Sequence, residues 1–193
     1  MGELSRCGWA TSAPEYVAYH DDEWGRPLHG VTAMFERLSL EAFQSGLSWL
    51  VILRKRPAFR AAFAGFEPAA VARFDEADVA RLLADAGIVR NRAKIEATLA
   101  NARATVALRA AGTSLPDVVW AHRPPARPAP RSWADVPAIT PESTALAKEL
   151  KRHGFRFVGP TTAYAGMQAC GLVNDHLDGC VARAATEAAQ ARG

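Results

Sequence analysis

The chain has 193 residues, 49% of them hydrophobic and 22% charged, with a formal charge of +3. That length accommodates one domain, or two small ones, with a substantial core. The balance excludes wholesale disorder, and it permits a nucleic-acid partner without demanding one. The longest apolar run, Leu47 to Leu53 with Ser48 inside it, is far short of the ~20 residues that span a bilayer. The opening MGELSRCGWATS carries no apolar leader segment, and three cysteines argue against a disulfide-stapled secreted fold, so a cytoplasmic setting is expected.

The elements read as helices almost throughout. Pro14 suits the first turn of a helix running to about Trp24. Thr32 is a candidate cap for a helix that carries Phe35, Leu38 and Phe43 and stops at Gly46. Ser48 is a candidate cap for SWLVILRK, which Pro57 is expected to end; a further helix then runs through Phe63 to Gly65. Pro68 opens a short turn. Asp75 and Asp78 have capping spacing ahead of EADVARLLADA, with Gly87 as its stop. A long helix spans Asn91 to Ala111, with Ile95, Leu99, Ala102 and Val106 at helical spacing. Most of the twelve prolines fall between 116 and 141, so HRPPARPAPRSW reads as an extended loop. Thr140 and Pro141 restart a helix that Gly154 ends, and a final helix runs from Pro160 to Cys170. FRFV at 155–158 is the best strand candidate, and one strand makes no sheet.

Four groups of residues carry chemistry. Cys7 and His20 lie at one end of the chain, His176 and Cys180 (HLDGC) at the other. Two Cys and two His are a common structural zinc set, and such a site would tie the termini together; buried thiols and ordinary histidines are the alternative. Trp9, Tyr16, Tyr19, Trp24 and Trp49 suit a pocket that stacks a flat ring, or else a plain core. Glu41, between Leu40 and Phe43, is either an exposed helix residue or a buried, functional carboxylate. Asp21, Asp22 and Glu23 read as a solvated turn. ADAGIVRNRAK joins two helices through Gly87 and brings Arg90, Arg92 and Lys94; it is either a phosphate-binding hairpin or an ordinary helical one.

The segments RCGWATSAPEYVAYHDDEWGRP, LEAFQSGLSW, DAGIVRNRAKI, RFVGPTTAY and MQACGLVNDHLDGC occur in that order. Together they resemble the type I 3-methyladenine DNA glycosylases, constitutive bacterial enzymes that remove 3-methyladenine from alkylated DNA. The resemblance covers about residues 5 to 181. It implies an all-α, single-unit helix-hairpin-helix fold with the hairpin near 76–111. It implies a structural zinc on Cys7, His20, His176 and Cys180. It implies a base pocket of Trp9, Tyr16, Tyr19 and Trp49 with Glu41 as its catalytic-site carboxylate. It implies a DNA surface of Gly87, Arg90, Arg92 and Lys94, with Leu47 as the wedge that fills the gap left by an extruded nucleotide. The implied substrate is double-stranded DNA with N3-alkylated adenine, the product free 3-methyladenine, the reaction hydrolytic without strand cleavage, and the protein a monomer. Two departures stand out: Ala42 follows the glutamate where the family often has another small residue, and Ser45 replaces a frequent alanine. The catalytic Asp usual in the wider superfamily has no clear equivalent in Asp117 or Asp135, as fits this family. The competing classes are a non-catalytic damage-binding module and a zinc hydrolase; the latter needs an open coordination position, which four protein ligands would close.

Overall fold

The computed structural model describes residues 5–192, so the N-terminal reading falls partly outside it. Ten α-helices are present among the described residues, with no strand: α1 (Pro14–Asp22), α2 (Val31–Gln44), α3 (Trp49–Ala62), α4 (Pro68–Val71), α5 (Glu76–Ala84), α6 (Arg92–Ala110), α7 (Leu115–Trp120), α8 (Pro141–Arg152), α9 (Pro160–Ala169) and α10 (Arg183–Gln190). None of the described helices is long and apolar enough to cross a membrane.

The core is built around α2, which meets α3, α6, α7 and α9. A helix covered on so many sides buries most of its circumference: Met34, Phe35, Arg37 and every residue from Ser39 to Phe43 are buried. The approach of α9 is close because Gly166 faces α2; a Cβ there would lie 2.6 Å from Leu38. Gly171, in a left-handed conformation, lets the chain after α9 press on the backbone of Arg26 and Pro27. One continuous apolar cluster runs from Tyr19 to Val173; in it Phe43 of α2 packs at a tilt on Phe59, which stacks with Phe63, and Phe63 with Phe66.

Several helix starts follow local chemistry. Asp75 and Asp78 form a reciprocal capping box on α5, Asn91 caps α6, Ser114 caps α7 and Thr140 caps α8. Other expectations are corrected. Thr32 lies inside α2, where its hydroxyl donates to Glu67 at 3.0 Å; the cap position is Gly30. Ser48 occupies the cap of α3 without bonding it, and Tyr16 Oη accepts the N–H of Leu50 instead (2.9 Å). Pro57 does not break α3. It sits on the exposed face, while Ile52, Leu53 and Phe59 anchor the helix on both sides of it. α5 ends at Ala84, before Gly87. Val106 faces solvent, off the buried stripe of α6. FRFV is not a strand: Phe157 has φ of 55°, and Asn101 binds both the N–H and the C=O of Arg156 (2.7 and 3.1 Å), groups that a ladder would need. Finally, α9 is followed by α10. Its RAATEAAQ has only small or polar side chains and no capping side chain, so no apolar stripe announces it; it docks through buried Thr186 and a bond from Gln190 to Gly25.

Candidate active site and metal centre

The chain ends meet in a buried cluster. Cys7, His20, His176 and Cys180 bring their ligating atoms within 4.8 Å of one another. His20 Nε2 lies 3.1 Å from His176 Nδ1 and 3.4 Å from Cys180 Sγ; His176 Nδ1 lies 3.6 Å from Cys180 Sγ and 3.9 Å from Cys7 Sγ. A tetrahedral zinc shell, with bonds of ~2.0–2.3 Å, spaces its donors roughly 3.3–3.8 Å apart. The outward nitrogens are both engaged: His20 Nδ1 with Asp21 (2.7 Å) and His176 Nε2 with the Trp24 carbonyl (3.2 Å). Each outer partner accepts a proton from its ring, so the two inward nitrogens present lone pairs to each other, an arrangement that a cation resolves. The N–H of Leu177 also points at Cys7 Sγ (3.4 Å). The donor set therefore fits a metal ion with four protein ligands.

The acidic turn is not merely solvated. Asp21 is held by Arg6 through bonds of 2.8–3.0 Å, which keeps its carboxyl below the usual range, while it orients His20. Glu23 accepts from Arg37 (3.0 Å) and Arg56 (2.6 and 2.8 Å). These two carboxylates tie α1 to the Cys/His cluster on one side and to α2 and α3 on the other.

Next to this cluster is a cavity of about 380 Å³, walled by Trp9, Tyr16, Tyr19, Trp24, Trp49 and Trp133, with Glu41, Gln44, Ser48, Ala165 and Gln168 completing it. Trp9 packs edge-on against Tyr16 and Trp24 (5.5 and 5.2 Å between ring centres), and Tyr19 is tilted against Trp49 at 5.3 Å. The indole N–H groups of Trp9 and Trp49 are buried without a partner. Tyr19 Oη accepts from Arg37 (2.9 Å), which leaves its own proton free; burial pushes this phenol well above its ordinary range. Tyr16 Oη, accepting from Leu50, is likewise free to donate.

Glu41 is buried, forms no side-chain hydrogen bond with the described residues, and opens onto the cavity. Burial raises its carboxyl to about 7, against the pull of Arg37 one turn earlier on α2. A carboxylate without a donor in an aromatic cavity is costly, and a positively charged or donor-bearing ligand would relieve that cost. Of the two readings of Glu41, the exposed helix residue is excluded: it is buried on α2 and shares the cavity wall with Trp49 of α3 and with Ala165 and Gln168 of α9.

A second cavity, of about 320 Å³, lies between the proline-rich loop and α10. Its arginines are already committed: Arg123 to the Gln190 carbonyl, Arg127 to Asp175, and Arg183 to the His176 carbonyl. The aromatic cavity is the better ligand site.

The turn between α2 and α3 presents Leu47 as an exposed tip, 41% accessible, beside left-handed Gly46. The α5–α6 hairpin turn lies beside α3, with Lys55 Nζ bonding the carbonyls of Ala86 and Gly87 (2.9 and 3.2 Å). Gly87 is there for close packing: a Cβ would lie 2.9 Å from Ala58. Arg90 is exposed. Arg92 is exposed but paired with Glu76 and Glu96 (2.8 and 3.2 Å). Lys94 is a correction. It is buried, and its ammonium donates to the carbonyls of Phe43 (2.9 Å) and Ser45 (2.5 Å), so it braces the Leu47 turn and does not reach out to phosphate.

Residues 9–184 match the family model described as methyladenine glycosylase. The chain belongs to the methyladenine glycosylase family. Relatives in the family include DNA-3-methyladenine glycosylase 1 of Escherichia coli K12, 47% identical over 180 residues (92% of this chain and 96% of the relative). The Haemophilus influenzae DNA-3-methyladenine glycosylase is 41% identical over 179 residues, 91% and 96% of the two chains. The crystal structure of a 3-methyladenine DNA glycosylase I superposes with a TM-score of 0.89 at 47% identity, covering 92% of this chain and 98% of that one. The Staphylococcus aureus enzyme, whose structure concerns 3-methyladenine recognition, gives 0.88 at 35% identity, covering 94% and 98%.

Sequence reasoning missed Trp133 and Gln168 as members of the cavity. Trp133 sits in the proline-rich loop, where only the long-range fold brings it to within 6.3 Å of Trp24.

Proposed function

We propose that this protein is a monofunctional DNA glycosylase that extrudes 3-methyladenine from alkylated double-stranded DNA and hydrolyses the bond between base and sugar. The observation that carries this reading is the unpartnered Glu41 carboxylate inside an aromatic cavity of base-sized dimensions. Relatives named for this activity support it.

A base inside a duplex is inaccessible, so it is turned out at a cost of a few kcal/mol, which weak pairing of a damaged base lowers. Leu47, on its exposed turn, fills the vacated stack; Lys94 keeps that turn in place. The α5–α6 hairpin, with Arg90 at its surface, holds the backbone in the manner of a helix-hairpin-helix unit. In the cavity the base stacks on one face of the wall that Tyr19 and Trp49 share, worth ~1–3 kcal/mol, and the electron-rich indoles favour a cationic base. Glu41 accepts hydrogen bonds from the adenine edge, including its amino group. Guanine presents a carbonyl there and is disfavoured.

N3 alkylation makes the base a good leaving group. The C1′–N9 electron pair departs with the base, which leaves neutral. Water adds to C1′ and gives its proton to solvent. Glu41 contributes recognition and a negative charge beside the reacting centre. No lysine acts as a Schiff-base nucleophile, so the DNA strand is left intact.

Cys7, His20, His176 and Cys180 hold a structural zinc, which joins the chain ends behind the cavity wall formed by Trp9 and Trp24. The protein acts as a single cytoplasmic unit and monomer.

Two experiments test the reading. Titration with free 3-methyladenine is expected to change the tryptophan fluorescence of the wild type, with a weaker apparent affinity in Trp49→Ala, whose cavity keeps Trp9, Trp24 and Trp133 as reporters; an unchanged wild-type signal counts against the pocket. Borohydride is expected to trap no enzyme–DNA adduct, and a trapped adduct would overturn the monofunctional assignment.

A further inference from the structure

Gln168, on α9, lines the aromatic cavity, and its amide is not free to turn. Its Nε2 donates to Asp175 Oδ2 at 2.8 Å. Asp175 is fully buried and already accepts from Tyr164 Oη on the same oxygen (2.7 Å) and from Arg127 on the other. A carboxylate that pairs with a guanidinium and a phenol can only accept, so the Gln168 nitrogen has to face it. That leaves Oε1, which has no hydrogen-bond partner among the described residues, as the polar atom Gln168 has available for a ligand.

We infer that Gln168 is a specificity-determining residue whose amide oxygen forms a second acceptor for a purine amino group, and that Asp175 is the positioning residue that fixes this polarity. The inference rests on the cavity being the base pocket. An exocyclic amino group has two protons. Glu41 takes one and Gln168 the other. A purine with a carbonyl at that position meets two acceptors and leaves all three oxygens without donors. Removing one such mismatch is worth roughly 10- to 100-fold in selectivity. Arg127 brings the proline-rich loop into this arrangement: the loop supplies Trp133 to the cavity wall and the guanidinium that holds Asp175.

The test is the ratio of kcat/KM for release of 3-methyladenine and of 3-methylguanine from methylated duplex DNA. Gln168→Met keeps the length of the side chain and removes its polarity; it is expected to lower the ratio roughly 10- to 100-fold. Asp175→Asn has a different signature. With its oxygen on Arg127, the new amide nitrogen faces Gln168 and turns the glutamine so that Nε2 points toward the ligand. That variant is expected to move the ratio further toward the carbonyl-bearing base than Gln168→Met does. A purely structural role for Asp175 would lower both rates together and leave the ratio in place. If wild type releases 3-methyladenine and Gln168→Met keeps the wild-type ratio, the inference is wrong while the glycosylase reading stands. If wild type releases neither base, the reading beneath it fails. Should Asp175→Asn not fold, Gln168→Met alone decides.

Discussion

Replacing Glu41 by Gln is expected to make the protein more stable and less active at the same pH. Burial raises the Glu41 carboxyl from 4.5 to about 7. Between those values the folded protein retains a proton that the unfolded chain releases, so stability falls as pH rises through that window, and the full cost is present above it. At ~1.4 kcal/mol for each pH unit separating the two, the ionised side chain costs the folded state about 3 kcal/mol at pH 8. Glutamine fills the same space without charge and escapes that cost. For a chain of this size each kcal/mol moves the melting temperature by ~2–4 °C, so Glu41→Gln should melt about 6–12 °C higher at pH 8. The gap should close as the pH falls to 4.5. Melting curves of both proteins across that range provide the assay. Equal melting temperatures at pH 8, or a less stable variant, would show that Glu41 is not an uncompensated buried charge, and the argument for a ligand-relieved carboxylate would fall with it.

The same carboxyl is expected to shape activity: kcat/KM should decline as the pH drops below about 7 and Glu41 takes up a proton, which a pH–rate profile checks. Purified protein should carry about one equivalent of zinc, lost in His176→Ala with a lower melting temperature; Asp21→Asn, which loosens both the His20 ring and the ion pair with Arg6, should weaken metal affinity by ~10–100-fold in a chelator competition. Lys94→Met strips two carbonyls of their donor and is expected to destabilise by ~1–3 kcal/mol. It should reduce base extrusion, followed with a fluorescent base analogue, without changing the salt dependence of DNA binding, since the Lys94 ammonium is turned to the Phe43 and Ser45 carbonyls. Gly171→Ala places a methyl 2.5 Å from the Arg26 carbonyl carbon at a φ of +81°, and should yield little folded protein on expression.

Capping signals and proline positions reveal most helix starts because they act within a few residues: Asp75 with Asp78, Asn91, and Thr140 before Pro141 are legible from local spacing alone. The failures have a common cause in contacts made far along the chain. Pro57 stays inside α3 because Phe59 and Ile52 are anchored in a core that their neighbours do not reveal. The burial of Glu41 depends on α9, more than a hundred residues away. Lys94 looks like a phosphate ligand in GIVRNRAK and is instead a brace, because the α2–α3 turn happens to end above it. Trp133 and Gln168 reach the cavity through folding of the loop and of α9, which no spacing encodes. The cluster of Cys7, His20, His176 and Cys180 was within reach of sequence only through its residue types and family resemblance, since its pairs lie at opposite ends of the chain.

The most direct test of the glycosylase reading is release of free bases from methylated duplex DNA, wild type beside Glu41→Gln, with products separated by chromatography. The account predicts that wild type frees 3-methyladenine and leaves 7-methylguanine in place, and that the folded, metal-loaded variant frees far less. A folded, metal-loaded wild type that releases no base, or a variant that matches it, would contradict the assignment of this cavity as the site of base excision.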